Sequence, residues 1–349
     1  MILSKLPPAL TCVSIPYALS GQSNNNIKKM EGFMRIKIFF YLISLLPVLL
    51  LTSCTRLFEE DCPPDNRINF MYLNENERDE TTLYINSVTD YIFNSDSILY
   101  RVDPPAKGSH VRSRGINLPD GKWIIVSLAN QYNNTGLSAY TTGETHLKDL
   151  LVRVTSPELM RSSPPLYIGS NDKLYFSSLN LEIRSGLPQG QVTGYYTPAH
   201  AQLTVFVTWT DAADIPRNPE KLSAVLQGVP TGFGFQSSIL QDRQDGTPFS
   251  VPLALDQKGN QHVRLYPSGH SYRFDAVCMR FETGKVPYLQ LMDDFMPLTK
   301  PLDLNEYFNA NNIDLSNSRI QNFSFSIRID KSKVVISPIH ILTWDVENL

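Results

Sequence analysis

The chain has 349 residues, with 31 Lys and Arg against 34 Asp and Glu, and a formal net charge of −3. A balanced, mildly acidic chain has no electrostatic reason to seek nucleic acid, and no basic stripe runs along it. Four cysteines in this length exclude a scaffold built on disulfides, and 24 prolines exclude long helices over most of the chain.

Residues 1–33 carry no clean hydrophobic period. A different kind of segment opens at Met34: Arg35 and Lys37, an uncharged apolar run over 38–51, then the small residues Thr52 and Ser53 before Cys54. A membrane-spanning helix needs about 20 apolar residues, and this run is shorter and contains Pro47. Basic start, apolar middle and small-residue end are the pattern of a secretory signal peptide. Leu51-Thr52-Ser53-Cys54 resembles a bacterial lipobox, in which the cysteine thiol takes up diacylglycerol and the chain is cut just before it. The expected organisation is an upstream translation artefact over 1–33, a lipoprotein signal peptide over 34–53 and an acidic tether over 54–65. Residues 1–53 hold five basic side chains and one acidic one, so the chain beyond them moves from −3 to −7. Glu59-Glu60-Asp61 reads either as a solvated tether or as a tag for export to the outer cell face.

Short runs of alternating apolar and polar residues follow, the pattern of half-buried strands. In the first half they cover 67–72, 83–93, 98–102, 123–128, 150–154 and 174–176. Asp103-Pro104-Pro105, Leu118-Pro119-Asp120-Gly121 and Pro164-Pro165 supply turns between them, and Ser156-Pro157 opens a short helical candidate at 156–160. Gly and Pro concentrate over 185–200, which predicts a linker. Beyond it, Leu203, Val205, Val207 and Trp209 share one face of a strand. Gly228 to Gly234 reads as a bend between strands, 262–266 and 272–278 as strands, and 303–308 as a helical turn. Phe323 to Asp330 alternates without a break, and a last strand is expected over 334–344. The fold class is therefore all-β, as two antiparallel β-sandwich domains in tandem over 66–190 and 200–349.

Catalytic signatures are missing. The six histidines form no His-Glu-x-x-His pattern, and neither Gly-x-Ser-x-Gly nor Cys-x-x-Cys occurs. Asp293 and Asp294 are adjacent, whereas a working carboxylate pair must face itself across a cleft. The Gly-rich stretch at 228–234 lacks the strand–loop–helix context of a phosphate cradle. The chain is read as a non-enzyme without cofactor, metal or small-molecule substrate. Cys278 shares an apolar face with Tyr272, Phe274 and Ala276, which fits a buried free thiol, while a bridge to Cys62 is the alternative. The last strand, with Lys333, Ile339, Ile341 and Trp344, is either an ordinary internal strand or a segment exchanged with a partner.

Several motifs occur in a familiar order. The lipobox at Cys54 is followed by Phe58-Glu59-Glu60-Asp61-Cys62-Pro63, Ile68-Asn69-Phe70-Met71-Tyr72 and Leu83-Tyr84-Ile85. Leu118 to Trp123 then forms an expected hairpin running into a strand. Pro165-Leu166-Tyr167-Ile168-Gly169 and the closing Ile341-Leu342-Thr343-Trp344-Asp345 complete the set. This order resembles the fimbrillin-A-associated anchor family. The resemblance implies two transthyretin-like sandwiches, a lipid on Cys54 and a place on the surface of the outer membrane. Pilin subunits would be the partners, and the chain would hold the filament at its base and limit its length. It also implies a cysteine near Glu80 to Tyr84, where none stands, so Cys62 lacks the bridge partner the family pattern suggests. The rival reading is a surface glycan-binding lipoprotein beside a polysaccharide-uptake system.

Overall fold

In the computed structural model the described residues are 66–74, 76–155, 167–184, 190–240, 249–315, 321–331 and 333–338. Strand β1 (Asn66–Met71) is followed by one helical turn, α1 (Thr81–Tyr84), then β2 (Ser87–Phe93), β3 (Leu99–Val102), β4 (Ala106–Lys107), β5 (Ser113–Gly115) and β6 (Gly121–Ala129). Next come β7 (Thr135–Leu137), β8 (Leu151–Val154), β9 (Tyr167–Ile168), β10 (Tyr175–Ile183), β11 (Gly190–Tyr195) and β12 (Thr197–Pro198). The second half holds β13 (His200–Trp209), β14 (Leu222–Pro230), β15 (Gly232–Leu240), β16 (Phe249–Ala254), β17 (Lys258–Arg264), β18 (Tyr266–Ser268) and β19 (Ser271–Met279). It continues with β20 (Tyr288–Asp293), β21 (Met296–Pro297), β22 (Leu302–Asp303), helix α2 (Leu304–Ala310), β23 (Asn322–Asp330) and β24 (Lys333–Pro338).

The fold is all-β. A first sandwich faces the sheet β11-β1-β5 against the sheet β12-β10-β6-β2-β3. A second faces β18-β19-β13-β23-β24 against β21-β20-β14-β17-β9. A further sheet, β16-β15-β8-β7, joins strands from both halves of the chain. Pairing is mostly antiparallel, with parallel contacts of β1 to β11, β13 to β23 and β9 to β17.

Three apolar clusters hold these sheets. Ile68 and Phe70 of β1 meet Trp123 and Ile125 of β6 and Leu181 and Ile183 of β10 inside the first sandwich. On the opposite face of the same central sheet, Tyr91, Phe93, Val126, Leu128 and Phe176 pack against Val152, Phe233 and Phe235 of β8 and β15. The third cluster fills the second sandwich with Leu203, Val205, Val207, Phe274, Phe325 and Ile327. Strands flagged by their alternation, at 203–209, 272–278 and 323–330, supply its inner faces.

Local chemistry explains where the observed elements depart from the sequence pattern. Residues 83 and 84 were expected in a strand running to 93, yet they lie in α1. Asp79 Oδ1 accepts from Thr81 N (3.0 Å) and Thr81 Oγ1 (2.5 Å), and Thr81 Oγ1 accepts from Tyr72 N (2.7 Å). These bonds turn the chain before β2 begins. The expected hairpin at 118–123 is instead a crossing between sheets: β5 pairs with β1, while β6 starts in the facing sheet. Buried Leu118 and the bond from Trp123 Nε1 to Pro119 O (3.0 Å) fix that corner. The stretch read as a linker holds β11 and β12. Its Gly194 is needed there, because a Cβ would sit 2.9 Å from the Phe70 ring. The bend expected at 228–234 is the point where the chain leaves β14 for β15, in a different sheet, through Thr231. The helical turn at 303–308 appears as α2, whose N-cap Asp303 accepts from Asn305 N (2.8 Å) and Glu306 N (3.3 Å). The expected helix at 156–160 lies outside the described residues.

One charged pair crosses the first sandwich. Arg114 of β5 reaches Asp90 of β2 through Nε (2.6 Å) and Nη2 (2.8 Å), and Ser127 Oγ donates to the same carboxylate (2.6 Å). Both side chains are largely buried, and the guanidinium lies 4.5 Å from the Phe70 ring centroid. A buried pair of this kind adds little net stability but ties β5 to β2 in one register, since breaking it leaves a bare charge inside.

The start of β13 is pinned to the first sandwich by His200, whose Nδ1 bonds to Leu174 O at 2.8 Å and whose ring meets Tyr175 edge-on. Burial pushes its pKa down to about 4, against the bond to Leu174 O and aided by nearby Lys173 and Arg280. The unfolded chain therefore binds a proton that the folded one refuses between pH 4 and the ordinary value near 6.5. His200 adds its full stability above pH 6.5 and loses it as pH falls toward 4, by about 3 kcal/mol in all. Urea unfolding at pH 7.5 and 4.5 should show a smaller acid loss for His200→Gln than for the parent chain.

Candidate assembly interface

Residues expected to mark function fall in two groups. Leu51, Thr52, Ser53, Cys54 and Cys62 lie outside the described residues, as do Ile339, Ile341 and Trp344. Lys333 and Cys278 are described, at an edge and in a core respectively. The structure does not bring these two together.

Lys333 opens β24, the outermost strand of its sheet. Its register with β23 runs from Asp330 opposite Lys333 to Phe325 opposite Pro338. The connecting turn includes Lys331 at φ +50°, the backbone region that tight hairpins require. Val334 and Ile336 lie against the core of the second sandwich but are only partly covered. β23, by contrast, is held on its other side by β13 from Asn322 to Ile329 and buries Phe323, Phe325 and Ile327. Among the described residues β24 covers β23 only from Phe325 onward, and the stretch Asn322 to Ser324 borders a cleft of about 490 Å³ with Tyr307, Phe308 and Ile313 on its far side. Among the described residues this sheet edge is occupied along one part of β23 and not along the other, a geometry that suits main-chain pairing with another strand.

β1 has the opposite character. It is the middle strand of its sheet, with β11 parallel on one side from Asn66–Gly190 to Met71–Tyr195 and β5 antiparallel on the other. Ile68 and Phe70 are buried beneath it.

The outer face of β13 and β19 carries a polar cluster. Asp275 accepts from Arg273, from Thr204 Oγ1 (2.8 Å) and from Tyr266. Partial burial works against ionisation of Asp275, but these bonds outweigh it and hold the carboxyl below its usual range. Arg273 also lies 5.4 Å from the Phe206 ring centroid. Nothing in the sequence pattern flagged this cluster, since its members alternate with core residues and read as an ordinary solvated face.

Among the described residues no three His, Cys, Asp or Glu side chains are grouped so as to hold a metal, and no helix is long and apolar enough to cross a membrane. Asp293 and Asp294 lie at the β20–β21 turn, where Asp294 pairs with Lys221 Nζ at 2.6 Å. Trp209, expected in the core, is half-buried at its rim against Tyr272.

Cys278 is buried, and its Sγ donates to Gln261 Oε1 at 2.8 Å. Burial pushes its thiol far above the ordinary range, so it is a poor nucleophile. In the folded chain Cys278 should resist iodoacetamide at pH 8 and react after unfolding without reductant. Failure to label even in the unfolded chain would mean that it is bridged.

Comparison with known proteins follows the architecture. Residues 59–348 match the family model of the fimbrillin-A associated anchor proteins Mfa1 and Mfa2. The structure of the fimbrial anchor protein Mfa2 from Porphyromonas gingivalis superimposes with a TM-score of 0.58 at 16% identity, covering 79% of this chain and 95% of that one. A candidate polysaccharide-binding protein from Bacteroides thetaiotaomicron gives 0.59 at 13% identity, covering 79% and 98%. A candidate adhesin from Bacteroides ovatus gives 0.57 at 11%, covering 79% and 95%. These likenesses are of fold. A sequence search among curated proteins returns no match.

Proposed function

We propose a function from the premise that the family match over residues 59–348 establishes: this chain belongs to the fimbrillin-A associated anchor proteins. It is a fimbrial accessory subunit of the cell envelope, a structural protein among adhesin and anchor folds. Our reading goes further. Cys54 carries the lipid, the chain sits at the filament base on the outer membrane with its bulk outward, and its sheet edge at β24 receives or donates a strand to a pilin subunit. By occupying that position it ends the filament and limits its length.

The observation that carries this reading is the position of β1, the first described strand after the proposed lipid site. A pull from a membrane anchor enters the fold through a strand that is central, bonded on both edges and packed beneath, the arrangement best able to bear load. One acyl chain holds a protein only marginally, with each buried methylene worth about 0.8 kcal/mol, whereas two or three hold it firmly. A diacylglycerol thioether meets that requirement. The segment from Lys333 through Ile339, Ile341 and Trp344 is the proposed exchange strand, because its described part is an edge strand with partial cover.

Two measurements test the two ends. Intact mass of the native chain should show residue 54 as the N terminus with a lipid adduct, and Cys54→Ser should move the protein from the detergent phase to the aqueous phase. An unmodified residue 54 would remove the anchor. Deleting residues 333–349 should leave the chain folded and membrane-bound but shed its filaments into the medium. Normal attachment by that truncation would assign β24 to the fold alone.

A further inference from the structure

Pro338, the last described residue of β24, stands opposite Phe325, and Asn322 to Ser324 of β23 have no partner strand on that side among the described residues. The direction of their backbone groups follows from the other edge of β23. Gln321 O accepts from Gln202 N (2.7 Å) and Ile329 O from Thr210 N (2.8 Å), so the odd-numbered residues of β23 turn their backbone groups toward β13. The parallel register with β13 runs without a shift from Asn322 to Ile329. Alternation therefore turns the N–H and C=O of Asn322 and Ser324 the other way, toward the cleft of about 490 Å³. Pro338 itself lines that cleft, with Phe323 beside it and Tyr307, Phe308 and Ile313 across from it. Its missing N–H costs no ladder bond, because Phe325 opposite it spends its own backbone groups on β13.

We propose that residues 339–341 of the same chain fill this cleft by extending β24 along β23. The register names the pairs. Pro338 opposite Phe325 puts Ile339 opposite Ser324, His340 opposite Phe323 and Ile341 opposite Asn322. Ser324 and Asn322 then exchange main-chain bonds with Ile339 and Ile341, the pattern of an antiparallel ladder. His340 joins Val334, Ile336 and Pro338 on the inner face, and Ile339 and Ile341 point outward beside Ser324 and Asn322. Three residues at about 3.4 Å each are enough to pass the uncovered stretch. The sequence Ile339-His340-Ile341-Leu342-Thr343-Trp344 contains no proline, glycine, carboxylate, lysine or arginine to interrupt a strand.

The chain's own segment is favoured over a strand from elsewhere. Residue 339 is joined to a strand already in register, so each further pair orders one more residue, whereas a second molecule must also give up its translational and rotational freedom. The pairing leaves Ile339 and Ile341 uncovered, and a partner that buries them can take the segment over. On the function proposed above, the intramolecular pairing is the resting state of the exchange segment, and a pilin subunit competes with it. The pairing itself does not rest on that reading.

Two measurements on the isolated full-length chain test it. Ser324→Cys with Ile339→Cys makes an opposed pair with Cα atoms about 5.5 Å apart, within reach of a disulfide. Diamide oxidation should link the two within one chain, read by mass spectrometry of proteolytic fragments. Ser324→Cys with His340→Cys places the thiols on opposite faces and should link at least tenfold less. Deleting residues 339–349 keeps every described residue. It should speed deuterium uptake at the Asn322 and Ser324 amides at least tenfold and leave those of Ser326 and Arg328 as they were. Unchanged uptake, equal linking of the two cysteine pairs, or no link between 324 and 339 would overturn the proposal. So would links between 324 and 339 found only between chains, because the cleft would then hold the tail of a second copy. Neither readout involves lipid or filament: a chain with a bare Cys54 can still close the cleft, and a chain that leaves it unfilled can still anchor.

Discussion

The structure depends on one sheet being buried on both faces. In β12-β10-β6-β2-β3, successive residues serve opposite cores: Ile92 and Ile125 point into the first sandwich, while Phe93 and Val126 point to β8 and β15. A strand used this way needs apolar side chains at consecutive positions. Each large side chain so buried contributes roughly 1.5–3 kcal/mol, so the two faces together outweigh what either sandwich face gains alone. The cost falls on polar groups. Asp90 and Ser127 sit on the inward face, and Arg114 must cross from the facing sheet to satisfy them.

That constraint also decides what was legible in the sequence. Strands with one wet face announce themselves by alternation, and β13, β19 and β23 were readable for that reason. The central strands read only as apolar runs at 83–93 and 123–128, which locate a strand without saying how many layers enclose it. In the layer β16-β15-β8-β7 only β8 had a signal, the run at 150–154, and nothing in that run pointed to a separate layer. β11 and β15 were hidden by glycine. Gly194 and Gly232 look like loop residues in a sequence. In the fold they are the places where Phe70 and the Val152 carbonyl approach too closely for a side chain, the latter 2.1 Å from where a Cβ would lie. Pairs such as β9 and β12 are two residues long, too short for any period to appear.

The site was legible unevenly, and for a chemical reason. The lipid site proposed at Cys54 rests on a local motif, Leu51 to Cys54, and lies outside the described residues. A sheet edge or a cavity is made by residues far apart in the chain. Asn180, Thr193 and Gln236 each look like a solvated polar residue in its own strand, and only the meeting of β10, β11 and β15 brings them to line one cavity. The edge at β24 lies between these cases. Its strand pattern was evident, but its position at the end of a sheet follows from the parallel pairing of β13 with β23, which no local pattern encodes.

The two ends of the described chain differ in how they would yield to force. A load applied at Asn66 acts along the axis of β1, and the bonds to β11 and β5 resist together, as a ladder sheared along its length must. A load that peels β24 away from Pro338 meets a strand with one neighbour among the described residues, so its bonds to β23 open in succession, each opening needing only a fraction of the whole. The N-terminal strand is thus built to stay, and the C-terminal one can be released at low force without disturbing Phe325 and Ile327 beneath it, which β13 continues to hold. The proposed function would use this asymmetry: an attachment on one side that outlasts an exchange made on the other.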